Sequence, residues 1–205
     1  MEIIKIDGAN ATPSLRSNSY LIVAGEECCV LDPSFGLEIV KQKLRENFDK
    51  DIRVVSVILT HCHADHCAEL CEFTDTKIYL TEKTRENLLN PEVTLSHEVI
   101  GKDINIEAVK NNFVLISGGD NVELISGCKF HIKSTAGHTL DSICIYNNKD
   151  MFVGDLIFAN RGLGRTDLPT GSGAELRKSL RWLFSLSTEL IIHSGHGEDF
   201  LLGDW

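Results

Sequence analysis

The chain has 205 residues, 42% of them hydrophobic and 24% charged, with 30 Asp and Glu against 20 Lys and Arg for a formal charge of -10. A chain of this size buries roughly 70% of its unfolded surface in one core, which excludes disorder, and its longest apolar run, residues 54–59, is far short of the roughly 18 residues of a membrane span. So acidic a surface repels phosphate groups, which disfavours nucleic acid and anionic membranes as partners.

Met1-Glu2-Ile3-Ile4-Lys5 does not lead a basic stretch into a long apolar one, so no secretory signal is expected. The 7 cysteines, at 28, 29, 62, 67, 71, 128 and 144, are an odd number and read as reduced thiols of a cytoplasmic protein. Cys62, Cys67 and Cys71 lack C-x-x-C spacing and are expected as small buried hydrophobes.

Residues 18–24 and 28–31 are expected to pair as strands about a turn at Gly25-Glu26, with Asp32-Pro33 ending the second. Leu37, Val40, Leu44 and Phe48 then fall at helical spacing. Residues 52–59, dense in Val and Ile, predict a strand buried on both faces. It runs straight into Thr60-His61-Cys62-His63-Ala64-Asp65-His66. The carboxyl end of a buried strand is where open α/β folds place their chemistry. A short helix over 64–72 and a strand over 77–80 follow, with Thr81 as N-cap of the next helix. The stretch 90–112 has no clear period and is expected as a mobile insertion or lid. Residues 122–125, 129–134, 142–146 and 151–153 read as consecutive strands, 173–186 as an amphipathic helix and 189–193 as a last strand. Strands then a helix, twice over, predict one α/β (α+β) domain over 1–205, with two mixed sheets face to face and helices outside.

His61 and His63 alternate in an extended segment, so both imidazoles reach one point. Asp65 and His66 follow where the chain turns into a helix and aim at a second point nearby. Neutral imidazole with carboxylate suits Zn, Fe or Mn rather than Ca. His138 and His196 each follow a strand-like run beside glycine, which lets the backbone turn sharply, and Asp155 follows Gly154 in the same way. A lone histidine is more often a structural residue. Seven metal-type side chains, all at predicted strand ends, are not a coincidence of that kind.

The order and spacing of these motifs resemble the metallo-β-lactamase superfamily over nearly the whole chain. His61, His63, Asp65 and His66 match its His-x-His-x-Asp-His signature. Asp32-Pro33-Ser34 resembles its Asp-Pro-Gly, and Thr135-Ala136-Gly137-His138-Thr139 its Thr-Pro-Gly-His-Thr, with Ser34 and Ala136 as departures. The resemblance implies a four-layer αβ/βα sandwich and two divalent ions, Zn first, with Fe or Mn as alternatives. It implies His61, His63 and His138 on one ion, Asp65, His66 and His196 on the second, and Asp155 bridging the two. Two cations about 3.5–4 Å apart share a water and lower its pKa towards neutrality. The resulting hydroxide attacks a carbonyl with Asp65 and Asp155 as the catalytic carboxylates, and no Ser or Cys nucleophile is needed. His131 and His193 are expected as strand residues, and His97 has no assignment.

Gly164-Arg165-Thr166-Asp167, shortly after Asp155, resembles glyoxalase II-like thioester hydrolases and also persulfide dioxygenases. By that resemblance Arg165 holds the anionic part of a thiol-containing substrate, since an Arg fork suits a carboxylate. The alternative is that Arg165 and Asp167 simply pair with each other. Glyoxalase II itself carries a C-terminal helical domain that grips glutathione, and Glu-Tyr-Thr after its last histidine where this chain has Gly197-Glu198-Asp199. A short glyoxalase II-like enzyme without that domain is therefore expected: a binuclear hydrolase of a small thioester, as monomer or homodimer. The alternatives are a mononuclear-iron persulfide dioxygenase using His61, His138 and Asp155, a lactonase of the same fold, or a metal-binding module without catalysis. A β-lactamase is disfavoured for want of an export signal, and an RNA-cleaving member by the charge.

Overall fold

The computed structural model describes residues 1–10 and 16–205. β-Branched and aromatic residues fill its short strands, where they pack well on a pleated surface. One six-stranded sheet runs in chain order through β1 (Glu2–Ile6), β2 (Ser19–Ala24), β3 (Glu27–Leu31), β4 (Arg53–Ile58), β5 (Lys77–Thr81) and β6 (Phe113–Ile116). Its first three strands are antiparallel, and β3 to β6 are parallel. The second sheet holds β7 (Asn121–Ile125), β8 (Cys128–Ser134), β9 (Ile143–Tyr146), β10 (Asp150–Gly154), β11 (Ile191–Ser194) and β12 (Phe200–Leu201), again as neighbours in chain order. Within it only β10 and β11 are parallel.

Strand alternation builds the layers. Tyr20 and Ile22 of β2 face the second sheet, where they join Phe130, Ile132, Ile145 and Phe152. Leu21 and Val23, on the opposite face of the same strand, pack under Val40 and Leu44 of helix α1 (Leu37–Asn47). On the far side, Met151, Val153 and Ile192 pack under Leu176 and Leu183 of a helix at Gly173–Leu183. Two mixed sheets face to face with helices outside are thus the expected architecture. Ser172 caps the Gly173–Leu183 helix by accepting from the Glu175 amide at 3.3 Å. Ser172→Ala is expected to cost about 1 kcal/mol, read as a lower urea midpoint with an unchanged slope.

Two expectations are corrected. The helix over 64–72 divides into α2 (Ala64–Cys67) and a 3-10 turn at Leu70–Glu72. The Glu69 amide breaks the run by donating to the Pro33 carbonyl at 3.1 Å instead of continuing a helical ladder. The stretch 90–112 follows α3 (Glu82–Asn87), which Thr81 caps as expected. It forms two short helices, α4 (Pro91–Thr94) and α5 (Ser96–Val99), and a 3-10 turn at Lys110–Asn112. Val93, Ile104, Ile106 and Val109 are buried in the core beneath the first sheet, so the segment is packed down rather than a loose insertion. The Gly173–Leu183 helix is α6.

Cys28, Cys29, Cys62, Cys67 and Cys144 are buried and unpaired by disulfides, and Cys71 is half-buried. Burial pushes the thiols of Cys29 and Cys144 up to about 12. They are packing groups, not nucleophiles. Among the described residues no helix is long and apolar enough to cross a membrane.

Candidate metal centre

The chain leaves β4 and β10 and arrives at its next turn with the predicted side chains pointing at one place. His61, His63, Asp65 and His66 follow β4, Asp155 follows β10 and His196 follows β11. Because β10 and β11 are parallel neighbours, their carboxyl ends lie side by side. His138 comes from the loop after β8. Gly195 permits the closeness: a Cβ there would collide with Asp155 Oδ1 and stand 2.6 Å from His66 Cε1. Gly154 turns with φ +52°, and a Cβ on it would lie 2.7 Å from Thr60 Oγ1.

All seven predicted side chains converge. His63 Nδ1 lies 3.2 Å from His61 Nε2 and 2.9 Å from His138 Nε2. Asp65 Oδ2 lies 3.1 Å from His196 Nε2 and 3.6 Å from His66 Nε2. Asp155 stands between the groups, with Oδ2 3.6 Å from both His138 Nε2 and His196 Nε2, and Oδ1 3.3 Å from His66 Nε2. Two clusters of three donors, His61–His63–His138 and Asp65–His66–His196, each fit one ion.

The neighbours fix which ring atoms carry lone pairs. Asp32, at the end of β3, is buried, and its carboxylate accepts from the Thr60 amide and hydroxyl, each at 2.7 Å. It also accepts from His66 Nδ1 at 2.9 Å. The Thr60 hydroxyl, having donated to Asp32, accepts from His61 Nδ1 at 3.0 Å. His138 Nδ1 donates to the Arg165 carbonyl at 2.8 Å. The Nε2 atoms of His61, His66 and His138 therefore face the centre, those of His61 and His138 towards His63 Nδ1. His66 Nε2 and Asp155 Oδ1 are buried without a hydrogen bond, since their 3.3 Å approach lacks the geometry of one. Leaving such acceptors unpaired costs about 1–3 kcal/mol each, and a cation shared by them removes that cost. The donor set fits a divalent ion of the Zn, Fe or Mn kind.

Asp32 and Thr60 orient ligands, a role that the Asp32-Pro33 motif alone does not reveal. Asn18 and Tyr20 clamp the His196 turn from the first sheet. Asn18 donates to the carbonyls of Ser194 and Gly197, each at 3.0 Å, and Tyr20 donates to that of Ser194 at 2.8 Å.

The electrostatics ask for positive charge at this spot. Burial and the neighbouring histidines hold His61 well below the ordinary imidazole value, and burial with His138 brings His63 down to about 4. Burial would do the same to His66, but Asp65, Asp155 and Asp32 outweigh it and hold its proton well above the usual range. Burial is likewise outweighed at His196, chiefly by the Asp65 hydrogen bond, and its value is raised. Burial would raise Asp155, but His66 and His196 hold it well below the carboxylate range. An ion bound by His66 and His196 must displace protons held more tightly than on a free imidazole. Metal affinity is therefore expected to fall with decreasing pH, starting above pH 6.5, with a steeper slope for the Asp65–His66–His196 cluster. His61 and His63 shed their protons well below that, so neither competes with an ion for a proton in this range. Chelator competition between pH 5 and 9 reads both limbs.

Arg165 does not reach the cluster with its charge. Its guanidinium makes two hydrogen bonds to Asp167, at 2.9 and 2.8 Å, and the pair is exposed. Those bonds hold Asp167 down to about 2. Arg165 still lines a cavity of about 390 Å³ that opens beside His63, Asp65, His138, Asp155 and His196. His97 is exposed and paired with Asp103 at 2.7 Å. His131 lies in β8, and His193 in β11 between Asp150 and Asp199, as expected of strand residues.

Two mixed sheets with imidazoles and carboxylates gathered at the ends of their strands are the frame of a metal-dependent hydrolase. The chain belongs to the metallo-β-lactamase superfamily, whose family model matches residues 13–196. It is 34% identical over 205 residues to a protein of Methanocaldococcus jannaschii named a probable metallo-hydrolase, across 96% of this chain and 93% of that one. Among solved structures it is similar to BLEG-1, a B3 metallo-β-lactamase, with a TM-score of 0.83 and 26% identity over 99% of this chain and 95% of that one. It is also similar to TTHA1623 in a di-iron-bound form, with a TM-score of 0.77 and 25% identity over 100% and 96% of the two chains.

Proposed function

We propose that the protein is a binuclear metal-dependent hydrolase of small thioesters. The carrying observation is the pair of three-donor clusters with Asp155 between them, opening onto a cavity. His61, His63 and His138 would hold one ion, Asp65, His66 and His196 the other, and Asp155 both. Zn is the first expectation, and the di-iron form of the similar TTHA1623 makes iron the next. When bound, such a pair supplies Lewis acidity to a carbonyl oxygen and lowers the pKa of water towards neutrality.

The chain's own residues do the rest. Asp65, 3.1 Å from His196 Nε2, orients the attacking water and takes up its proton. The water oxygen bonds to the acyl carbon, the C–S bond breaks, and its electron pair leaves on sulfur. A thiol ionises near 8.5, so the thiolate departs without a strong general acid. Asp65 then returns its proton to the thiolate and the new carboxylic acid loses its own to solvent, so the products are a carboxylate and a thiol. That economy suits a thioester, and the Gly164–Asp167 loop resembles thioester hydrolases and persulfide dioxygenases alike.

The test is metal stoichiometry on untagged protein, followed by a panel of thioesters, lactones and β-lactams. Two equivalents of metal per chain with thioester turnover support the reading. One equivalent of iron, with oxygen uptake on a glutathione persulfide, replaces it with a dioxygenase.

A further inference from the structure

Two cavities meet at the centre. One, of about 390 Å³, takes its walls from Leu95, Val99, Phe158, Leu163 and Leu168 in addition to the cluster. The other, of about 400 Å³, is lined by Phe158, Ala159, Asn160, His196, Gly197 and Glu198. Phe158 and His196 line both, with ring centroids 6.0 Å apart, so the aromatic ring divides one site into a leucine-lined lobe beside the cluster and a second lobe beyond it. Both volumes lie in the range of small-molecule sites.

The leucine-lined lobe has features that packing does not explain. Leu163 is 44% exposed although it stands beside carboxylates and imidazoles. Leu95, the turn between α4 and α5, holds φ +56°, a conformation that leucine rarely adopts. Strain of this kind persists where the surroundings impose it, and it gathers at ligand sites. The stretch 90–112 thus supplies a wall of the site through Leu95 and Val99.

The charges along the lobes are already cancelled. Arg165 is the one Lys or Arg among the described residues lining either lobe, and its fork is occupied by Asp167. Glu198 is paired with Lys5 at 3.1 Å. An anionic thiol carrier finds no free cation on these walls, and it approaches a chain of net charge -10.

We propose that the centre binds an apolar acyl chain in the Leu95–Val99–Leu163–Leu168 lobe and an uncharged thiol carrier beyond Phe158, and that it selects against glutathione-type anionic carriers. The orientation of the scissile bond rests on the thioester reading; the binding preference does not.

The test uses thioethers that cannot be hydrolysed, titrated calorimetrically into the metal-loaded protein: S-hexyl and S-methyl N-acetylcysteamine, and S-hexylglutathione. Each buried methylene is worth about fourfold in affinity. The hexyl ligand is expected to bind at least tenfold more tightly than the methyl one, and more tightly than S-hexylglutathione. Leu163→Asn, at an exposed position that the fold tolerates, should shrink the hexyl-to-methyl ratio. Equal binding of hexyl and methyl ligands, or a preference for the glutathione adduct in the unaltered protein, overturns the proposal. Tight hexyl binding with no cleavage of hexanoyl N-acetylcysteamine overturns the thioester reading and leaves the pocket assignment standing.

Discussion

Asp155→Asn is expected to strip at least one ion from the protein and to lower thioester kcat/KM by on the order of 10³ or more, since a bound metal contributes several kcal/mol to the transition state and each 1.36 kcal/mol is tenfold. The geometry gives the reason. Asp155 Oδ2 is 3.6 Å from both His138 Nε2 and His196 Nε2, one from each cluster, while Oδ1 is 3.3 Å from His66 Nε2. Asp155 also forms a third donor group with His61 and His66, one residue from each cluster. The amide keeps the shape and one acceptor oxygen. It loses the negative charge that offsets two cations, and it turns an NH2 towards an imidazole lone pair. The substitution is isosteric in a buried site, so the fold should survive, and the loss should appear as metal content before it appears in the circular dichroism of the backbone. Elemental analysis after gel filtration, alongside thioester assays with metal in excess, separates failure to hold metal from failure to use it. Two retained ions and activity within tenfold of the unaltered protein would remove Asp155 from the centre.

The centre was legible in the sequence because its chemistry is local. His61, His63, Asp65 and His66 sit within one strand-to-helix turn, and the alternation of an extended chain puts the first two on one side. His138, Asp155 and His196 each stand beside a glycine at a strand end, and glycine marks the backbone turns that aim them. What was not legible needed long-range contacts. The helix over 64–72 breaks because the Glu69 amide finds the Pro33 carbonyl, a partner far away in sequence. The stretch 90–112 looked loose because Val93, Ile104, Ile106 and Val109 have no helical or strand period, yet each is buried. Its apolar residues answer to the shape of the sheet beneath them rather than to a repeating face. β1, β6 and β12 carry no clear signal of their own for a similar reason: short edge strands are defined by the neighbours they pair with. Arg165 shows the opposite limit. The motif invites a substrate contact, and the structure gives the fork to Asp167, two residues away.

Asp32→Asn is expected to weaken metal binding at the Asp65–His66–His196 cluster by about 10- to 100-fold, the usual effect of losing a partner that orients a ligand, while leaving the fold intact. Asp32 takes three hydrogen bonds on one carboxylate: Thr60 amide to Oδ1 at 2.7 Å, Thr60 hydroxyl to Oδ2 at 2.7 Å and His66 Nδ1 to Oδ2 at 2.9 Å. Its backbone has φ +52°, a region that asparagine also visits readily. The amide can keep the bond from the Thr60 N–H. Its NH2 then faces two donors. The Thr60 hydroxyl must rotate, and His66 must accept at Nδ1, which moves its proton to Nε2, the atom that faces Asp65 and Asp155. The ion then competes with a proton on its own ligand. His61 also loses its fixed partner once the Thr60 hydroxyl turns, so the first cluster should weaken too, by a smaller factor. Asp32→Ala separates positioning from stability. It abandons the buried donors at about 1–3 kcal/mol each, and alanine in the left-handed region adds about 1–2 kcal/mol. Its thermal midpoint should therefore fall sharply, where that of Asp32→Asn falls little. Competition with a chromogenic chelator gives the two affinities, and thermal unfolding of the metal-free proteins gives the stabilities. If Asp32→Asn holds both ions as tightly as the unaltered protein, the carboxylate serves only to close the β3 turn, and the tautomer of His66 is set by the ion alone.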